Sequence, residues 1–172
     1  MEQEQMNNGI GRFLGGIGAL VWYPPTNQYL LLRRATSKDF AAGIWECVTG
    51  RVNQGEGFME ALQREVQEEI GTAVTPAFFI GVTHFYRGSP TPDNELIGVV
   101  FACILNNPGR IQMSAEHDTY RWVTAVEAEA FLTATDPSTQ WLKRVITRAE
   151  ALRKQYPAEL IIHHHHQGFD LG

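Results

Sequence analysis

Residues 50 to 71, GRVNQGEGFMEALQREVQEEIG, hold five glutamates, two arginines and no lysine. Apolar side chains recur there at every fourth position: Phe58, Leu62, Val66 and Ile70. This spacing places them on one face of a helix. The pattern predicts a helix from Phe58 to Ile70 that ends at Gly71, where a left-handed residue is favoured.

Three carboxylates, Glu65, Glu68 and Glu69, crowd the last turns of this predicted helix. Negative charge near a helix C-terminus opposes the helix dipole, at a cost of a few tenths of a kcal/mol each. Glu65 and Glu69 lie one position from the apolar stripe, where repulsion is poorly screened. A solvated acidic face is one explanation. A bound divalent cation is another, because Mg²⁺ prefers carboxylate oxygens together with water and substrate phosphate.

The spacing of the charged residues gives a fuller pattern. Gly50, five residues, Glu56, seven residues and then the run REVQEEIG from Arg64 to Gly71 follow the Nudix box, G-x5-E-x7-R-E-U-x-E-E-x-G-U, where U is aliphatic. Thr72 stands at the last aliphatic position, which affects packing more than chemistry. The chain therefore resembles the Nudix hydrolases over roughly residues 11 to 132.

The resemblance implies an α/β fold, the Nudix α/β/α sandwich with a central mixed β-sheet. It also implies a hydrolase that uses Mg²⁺ or Mn²⁺. The ligands would be Glu65 and Glu69, with Glu68 as a further ligand or a support. Arg64 would orient the carboxylates, and the loop would be braced by Gly50, Glu56 and Gly71. The catalytic residues would be Glu65, Glu68 and Arg64, with Glu65 the first candidate to share in taking a proton from water.

The flanking segments narrow the expected substrate. IWECVTGRV, residues 44 to 52, and EHDTYRWV, residues 116 to 123, are similar to the dATP and dihydroneopterin triphosphate pyrophosphohydrolase branch of the family. The second segment is equally similar to diadenosine tetraphosphate hydrolases. In the former branch Glu116 would complete the metal site, against the alternative of a surface carboxylate. His117 is expected to pack or to form a hydrogen bond rather than to bind metal. Asn53, where a glutamate is common, puts a pterin substrate in doubt.

We therefore expect a pyrophosphohydrolase that cleaves a nucleoside triphosphate-type substrate to a monophosphate and pyrophosphate. The alternatives are a dinucleoside polyphosphate or ADP-ribose hydrolase, and a Nudix-fold sensor that binds a nucleotide without cleaving it. An acidic interaction domain is a third class of explanation. It predicts no metal effect on thermal stability, whereas a metal site that exists only in the folded state predicts a concentration-dependent shift.

Candidate substrate contacts lie outside the glutamate helix. Arg33 or Arg34 could clamp a phosphate, and only one of two adjacent strand residues should reach it. Thr49, Arg87 and Ser138 are further candidates, with helix N-capping as the alternative role of Ser138. The aromatic residues Trp45 and Tyr86 could stack on a base or belong to the core.

Composition sets the remaining expectations. The chain has 172 residues, 44% hydrophobic content and a net charge of −5, with a pI of about 5.7. These values favour one globular domain and argue against a partner such as a nucleic acid polymer or a membrane surface. Two cysteines without metal-site spacing favour a reduced, cytoplasmic protein, and we see no signal peptide. Monomer and homodimer both remain open.

The predicted order of elements is mostly strands, followed by helices. Strands are expected near residues 13–23, 29–35, 47–52, 78–87, 96–105 and 120–124, and helices at 58–70, around 126–132 and at about 138–156. Residues 36 to 46 are expected to form a loop. The domain would span residues 11–157, between a polar segment at 1–10 and a His-containing tail at 158–172. The tail histidines are more simply a solvated end or an added remnant than a metal site.

Overall fold

The computed structural model describes residues 11–37 and 41–172. The predicted polar segment at 1–10 lies outside the described residues. Residues 38–40, in the predicted loop, also lie outside them.

The centre of the fold is a seven-stranded mixed sheet. The strands are β1 Leu14–Tyr23, β2 Gln28–Arg34, β3 Trp45–Glu46, β4 Val48–Arg51, β5 Thr75–Tyr86, β6 Glu95–Ile104 and β7 His117–Val123. The long strand β1 pairs in parallel with β6, and the other strand pairs among the described residues are antiparallel. The main path runs β3-β2-β1-β6-β5, with β4 attached to β1 and β7 attached to β2.

Helices cover both faces of this sheet. They are α1 Phe58–Ile70, α2 Ala125–Phe131, α3 Pro137–Gln155 and α4 Ala158–Gln167. The apolar side of α1 packs on one face, together with Val21, Leu32 and Val48. Helices α2 and α3 pack on the other face, over Leu20, Leu31 and Phe78. The arrangement is the predicted α/β/α sandwich with a mixed sheet. No helix in the described ranges is both long enough and apolar enough to cross a membrane.

The ends of the helices follow their sequence signals. Gly71 ends α1 with φ of 65°, the left-handed conformation that the sequence predicted. Its N–H donates to the carbonyl of Gln67. Asp136 caps α3 by accepting from the backbone N–H of Thr139, so the alternative of an N-cap at Ser138 is wrong.

The structure differs from the sequence-based prediction at two places. The segment 36–46 is not entirely loop, because Trp45–Glu46 pairs with Leu32 and Arg33 of β2 as strand β3. A short 3-10 helix at Pro108–Arg110, which was not predicted from the sequence, follows β6. The other predicted strands and helices are present, with ends shifted by a few residues.

The C-terminal segment is helical. In α4, His164 is half-buried, stacks on Phe169 at a centroid distance of 4.2 Å and lies 3.2 Å from the hydroxyl of Tyr156. The other three histidines of the run are exposed. The expectation of a solvated end therefore holds for those three and is wrong for His164, because the neighbouring rings cover it.

Packing of α1 on the sheet sets the position of its glutamates. Leu62 is completely buried in that interface. We expect Leu62→Ala to lower the free energy of unfolding by about 2–5 kcal/mol, because it removes a buried side chain and leaves a cavity. Urea denaturation measures the loss. Gln67→Ala, an exposed position of the same helix, is the matched control and should stay within about 0.5 kcal/mol of the parent.

Candidate active site

A cleft of about 940 Å³ opens beside α1 and the first turns of α3. Among the described residues, five glutamates line the part of the cleft that we call its inner end: Glu46, Glu65, Glu68, Glu69 and Glu116. Strands β1 and β4 form part of its wall through Gly18 and Thr49. The fold thus brings three of the four glutamates of α1, Glu65, Glu68 and Glu69, together with Glu116, which lies about fifty residues further along the chain.

Arg64 joins the loop before α1 to the helix itself. Its Nε and Nη2 donate to the two oxygens of Glu56 at 2.8 and 3.0 Å. Its Nη1 donates to Glu65 Oε1 at 2.8 Å and to Glu68 Oε2 at 3.3 Å. Its Nη2 also reaches the carbonyl of Arg51 at 2.8 Å. One guanidinium therefore fixes three carboxylates and the end of β4.

Glu56 is a structural partner of Arg64 and is not among the residues that line the cleft. The Arg64 guanidinium and the backbone N–H of Asn53 lower the pKa of Glu56 to about 2. The carboxylate is therefore ionised across the physiological range. The bracing role of Glu56 that the family resemblance implied stays a prediction.

Gly50 allows Glu65 to approach the backbone of β4. A Cβ atom on Gly50 would lie 2.0 Å from the Cδ of Glu65 and 2.2 Å from its Oε1. No side chain larger than hydrogen fits there while Glu65 keeps its place. The glycine is thus required by the close approach of helix and strand rather than by its own dihedral angles.

Glu69 is the buried member of the set, with 7% of its surface exposed. Its atom Oε2 is buried and has no hydrogen-bond partner. Burial raises the pKa of Glu69 to about 9, and the charges of Glu46, Glu65 and Glu116 add to the shift, while the backbone N–H of Thr49 opposes it. A carboxylate in this position lacks positive charge nearby.

Sequence reasoning missed Glu46. It lies opposite Leu32 in the β2–β3 pairing, and its side chain lines the cleft. Its Oε1 accepts from His117 Nε2 at 2.8 Å and from Arg34 Nη1 at 3.4 Å. A strand of two residues has no periodicity from which this orientation could be predicted. The expectation that His117 forms a hydrogen bond is confirmed.

The predicted substrate contacts divide into two groups. Arg34, Thr49, Arg87 and Ser138 line the cleft, and Arg33 does not. Arg33 instead donates from Nε to Asp118 Oδ1 at 2.8 Å and lies 6.0 Å from the Trp45 ring centroid. Of the two adjacent arginines, Arg34 is thus the one on the cleft side.

The outer part of the cleft is aromatic and basic. Trp45, Phe85, Tyr86 and Trp141 line it. Trp141 donates from Nε1 to Thr83 Oγ1 at 3.1 Å, which fixes the ring. Arg51 and Arg144 also line the cleft, and the sequence analysis singled out neither. Their only sequence signal was charge, which most surface arginines share.

The carboxylates suit a hard divalent cation by their chemistry. Within residues 11–37 and 41–172, no three histidine, cysteine, aspartate or glutamate side chains are arranged as a complete ion site. Two of the candidates, Glu65 and Glu68, are engaged with Arg64 in this arrangement. The observation in favour of a cation is the unpaired, buried Oε2 of Glu69 beside three other negative side chains.

The Gly50 contact gives a direct test of the position of Glu65. We expect Gly50→Ala to displace the Glu65 carboxylate and to weaken Mn²⁺ affinity at least tenfold, because the new Cβ occupies the space of that group. Calorimetry with Mn²⁺ measures the effect. Gly109→Ala is the control, since a Cβ there meets nothing closer than 3.4 Å. Unchanged affinity in Gly50→Ala would contradict the assignment.

The pKa of Glu69 predicts how stability depends on pH without metal. A carboxyl whose folded pKa is raised keeps its proton while the unfolded chain loses it, so stability falls as pH rises from about 4.5 to 9. The loss is about 3 kcal/mol at pH 7. In chelator, Glu69→Gln should remove this decline and raise Tm at pH 8.

The matched control for that measurement is Glu60→Gln, in the same helix and outside the cleft lining. It should follow the parent pH profile. Parallel pH profiles for the parent and Glu69→Gln would show that Glu69 is not the group responsible.

Comparison with known proteins bears on the same residues. The model of the NUDIX domain matches residues 13–146. A MutT protein from Methanosarcina mazei Go1 superimposes with a TM-score of 0.67 and 25% identity, over 86% of this chain and 98% of that one. The E. coli dihydroneopterin triphosphate pyrophosphohydrolase gives a TM-score of 0.59 at 22% identity, over 78% of this chain and 92% of that one. The second likeness shows the fold alone.

Curated relatives differ in name and length. Nucleoside triphosphatase NudI of Escherichia coli O139:H28 is 31% identical over 55% of this chain and 72% of its own length. An octanoyltransferase of Myxococcus xanthus is 31% identical over 74% of this chain, and an NAD-capped RNA hydrolase of Caenorhabditis elegans is 28% identical over 81%. The chain spans only 33% and 36% of the length of those two. Because the NUDIX domain model matches residues 13–146, most of its length, this chain belongs to the NUDIX domain family.

Proposed function

We propose that this chain is a Mg²⁺- or Mn²⁺-dependent pyrophosphohydrolase. Its substrate is a nucleoside triphosphate-type molecule, such as dATP, another dNTP or a dihydroneopterin triphosphate-like compound, and its products are a monophosphate and pyrophosphate. The observation that carries the proposal is Glu69, whose unpaired buried oxygen lies among three other carboxylates at the inner end of the cleft. Members of this family generally use divalent metal ions.

The cation would be held by Glu65, Glu69, Glu68 and Glu116. When bound, such an ion neutralises polyphosphate charge, orients the chain of phosphates and lowers the pKa of an attacking water. Hard carboxylate oxygens suit Mg²⁺ and Mn²⁺ better than they suit softer metals.

The protein's own groups supply positioning and proton transfer. Arg64 orients Glu65 and Glu68, which it already contacts. Glu65 is our first candidate to accept the proton of the attacking water, with Glu68 beside it. Gly50 keeps open the space that Glu65 occupies. Glu56 and Gly71 hold the loop and the helix end in register.

Substrate contacts extend from the carboxylates toward the outer cleft. Arg34 and Thr49 lie near the inner end, where they would meet phosphate oxygens. Arg87 and Ser138 also line the cleft and would contact the rest of the nucleotide. Arg33, paired with Asp118 outside the lining, is the weaker candidate of the two adjacent arginines.

Size and similarity favour a triphosphate. A cleft of about 940 Å³ is large enough for a whole nucleotide. A relative that this chain covers over 72% of the relative's own length is named a nucleoside triphosphatase. Dinucleoside polyphosphates and ADP-ribose are the competing substrates, and a sensor without turnover is the competing function.

Other features of the chain are also proposals. We infer one domain at 11–157 with a C-terminal segment at 158–172, a cytoplasmic location and a monomer or homodimer. The net charge of −5 supports a small-molecule substrate over a nucleic acid polymer.

Phosphorus NMR of product formation tests the activity. The panel contains dATP, other triphosphates, dihydroneopterin triphosphate, diadenosine tetraphosphate and ADP-ribose, with Mg²⁺, with Mn²⁺ and with chelator. We expect pyrophosphate release from a triphosphate that requires metal and falls at least a hundredfold in Glu69→Gln, because one metal-binding charge is lost.

The control is again Glu60→Gln, which should retain parent activity. Turnover of diadenosine tetraphosphate or ADP-ribose in preference to every triphosphate would replace the proposed substrate class. Tight nucleotide binding without turnover would indicate a sensor.

A further inference from the structure

His117 lies between two carboxylates at the inner end of the cleft. Its Nε2 is 2.8 Å from Glu46 Oε1 and 4.0 Å from the unpaired Oε2 of Glu69. The ring itself has no exposed surface. Neither Glu46 nor His117 has a role in the function proposed above.

The surroundings of the ring decide which nitrogen faces the carboxylates as a donor. Nδ1 is buried without a hydrogen-bond partner, whereas Nε2 has a carboxylate at short distance. An unpaired buried N–H costs more than an unpaired lone pair that faces no donor. The ring is thus assigned a proton on Nε2, where the N–H donates to Glu46.

Glu46 depends on this contact for its orientation. Its second partner at the same oxygen is Arg34 Nη1, at the longer distance of 3.4 Å. After burial itself, the charge of Glu46 contributes most to the raised pKa of Glu69. If Glu46 were to rotate freely, the negative charge facing Glu69 would no longer have a fixed position.

We propose that His117 is a positioning residue of the metal centre. The buried ring acts as a rigid spacer: its Nε2–H holds Glu46 at 2.8 Å, and its 4.0 Å separation from Glu69 Oε2 leaves that oxygen available to a cation. This inference rests on the proposed function, since it assumes that Glu69 binds the ion. Residues that orient a ligand in this way affect metal affinity by about 10- to 100-fold.

Mn²⁺ affinity of the full chain, measured by electron paramagnetic resonance of the free ion, is the primary readout. His117→Leu removes the donor and fills the space with an apolar side chain, and we expect its Kd to rise at least tenfold. His117→Gln can place an amide N–H at the position of Nε2, and we expect its Kd to stay within threefold of the parent.

Loss of stability must be separated from loss of positioning. Tyr29→Phe is a matched control, because Tyr29 is fully buried and its hydroxyl donates to Glu150 at 2.8 Å, in the core on the other face of the sheet. It removes one buried hydrogen bond to a carboxylate. We expect its Tm to fall and its Mn²⁺ Kd to stay at the parent value.

A double-mutant cycle tests whether the two residues act as a pair. If His117 works through Glu46, the variant with both His117→Leu and Glu46→Ala should bind Mn²⁺ about as weakly as the weaker single variant. If the loss of Mn²⁺ affinity in the double variant equals the product of the two single losses, Glu46 acts on the ion independently of His117. That result would overturn the proposal.

Two further results have distinct meanings. Parent affinity in His117→Leu, with Glu69→Gln impaired, would overturn the positioning role and leave the proposed function intact. Absence of Mn²⁺ binding to the parent chain, or equal binding by the parent and Glu69→Gln, would overturn the proposed metal centre and this inference with it.

Discussion

The contact network of Arg64 is the constraint on which the rest of the site depends. A single guanidinium holds Glu56 in the loop, Glu65 and Glu68 in the helix, and a backbone carbonyl at the end of β4. The loop, the helix and the strand are therefore joined by the guanidinium of Arg64. Gly50 makes this possible, because any side chain there would occupy the space of the Glu65 carboxylate.

Concentration of negative charge is the consequence. Arg64 contacts Glu65 and Glu68, whereas the buried Glu69 has its pKa raised to about 9. Such a group destabilises the folded chain at neutral pH unless a cation is bound. The proposed metal ion would offset that cost, so the site would exchange stability for ligand binding, as functional sites in proteins often do.

Residues from β3, from the start of β7 and from α3 complete the site next to the glutamates of α1. Strand β3 brings Glu46 beside Glu69, and the start of β7 brings Glu116 and His117 to the same place. The first turns of α3 close the outer end with Ser138 and Trp141. These residues come from distant parts of the chain, so the cleft forms only when the sheet is complete.

The sequence by itself determined the helix from Phe58 to Ile70, its left-handed end at Gly71, the family and the identity of the α1 glutamates. Local periodicity and fixed spacing carry that information, because neighbours on one helix are set by the helical repeat. Only the tertiary structure decided that Arg34 rather than Arg33 lines the cleft, that Glu46 and His117 form a pair, and that His164 is packed. Those facts depend on strand register and on contacts between residues far apart in the chain, for which a two-residue strand or a run of histidines gives no periodic signal.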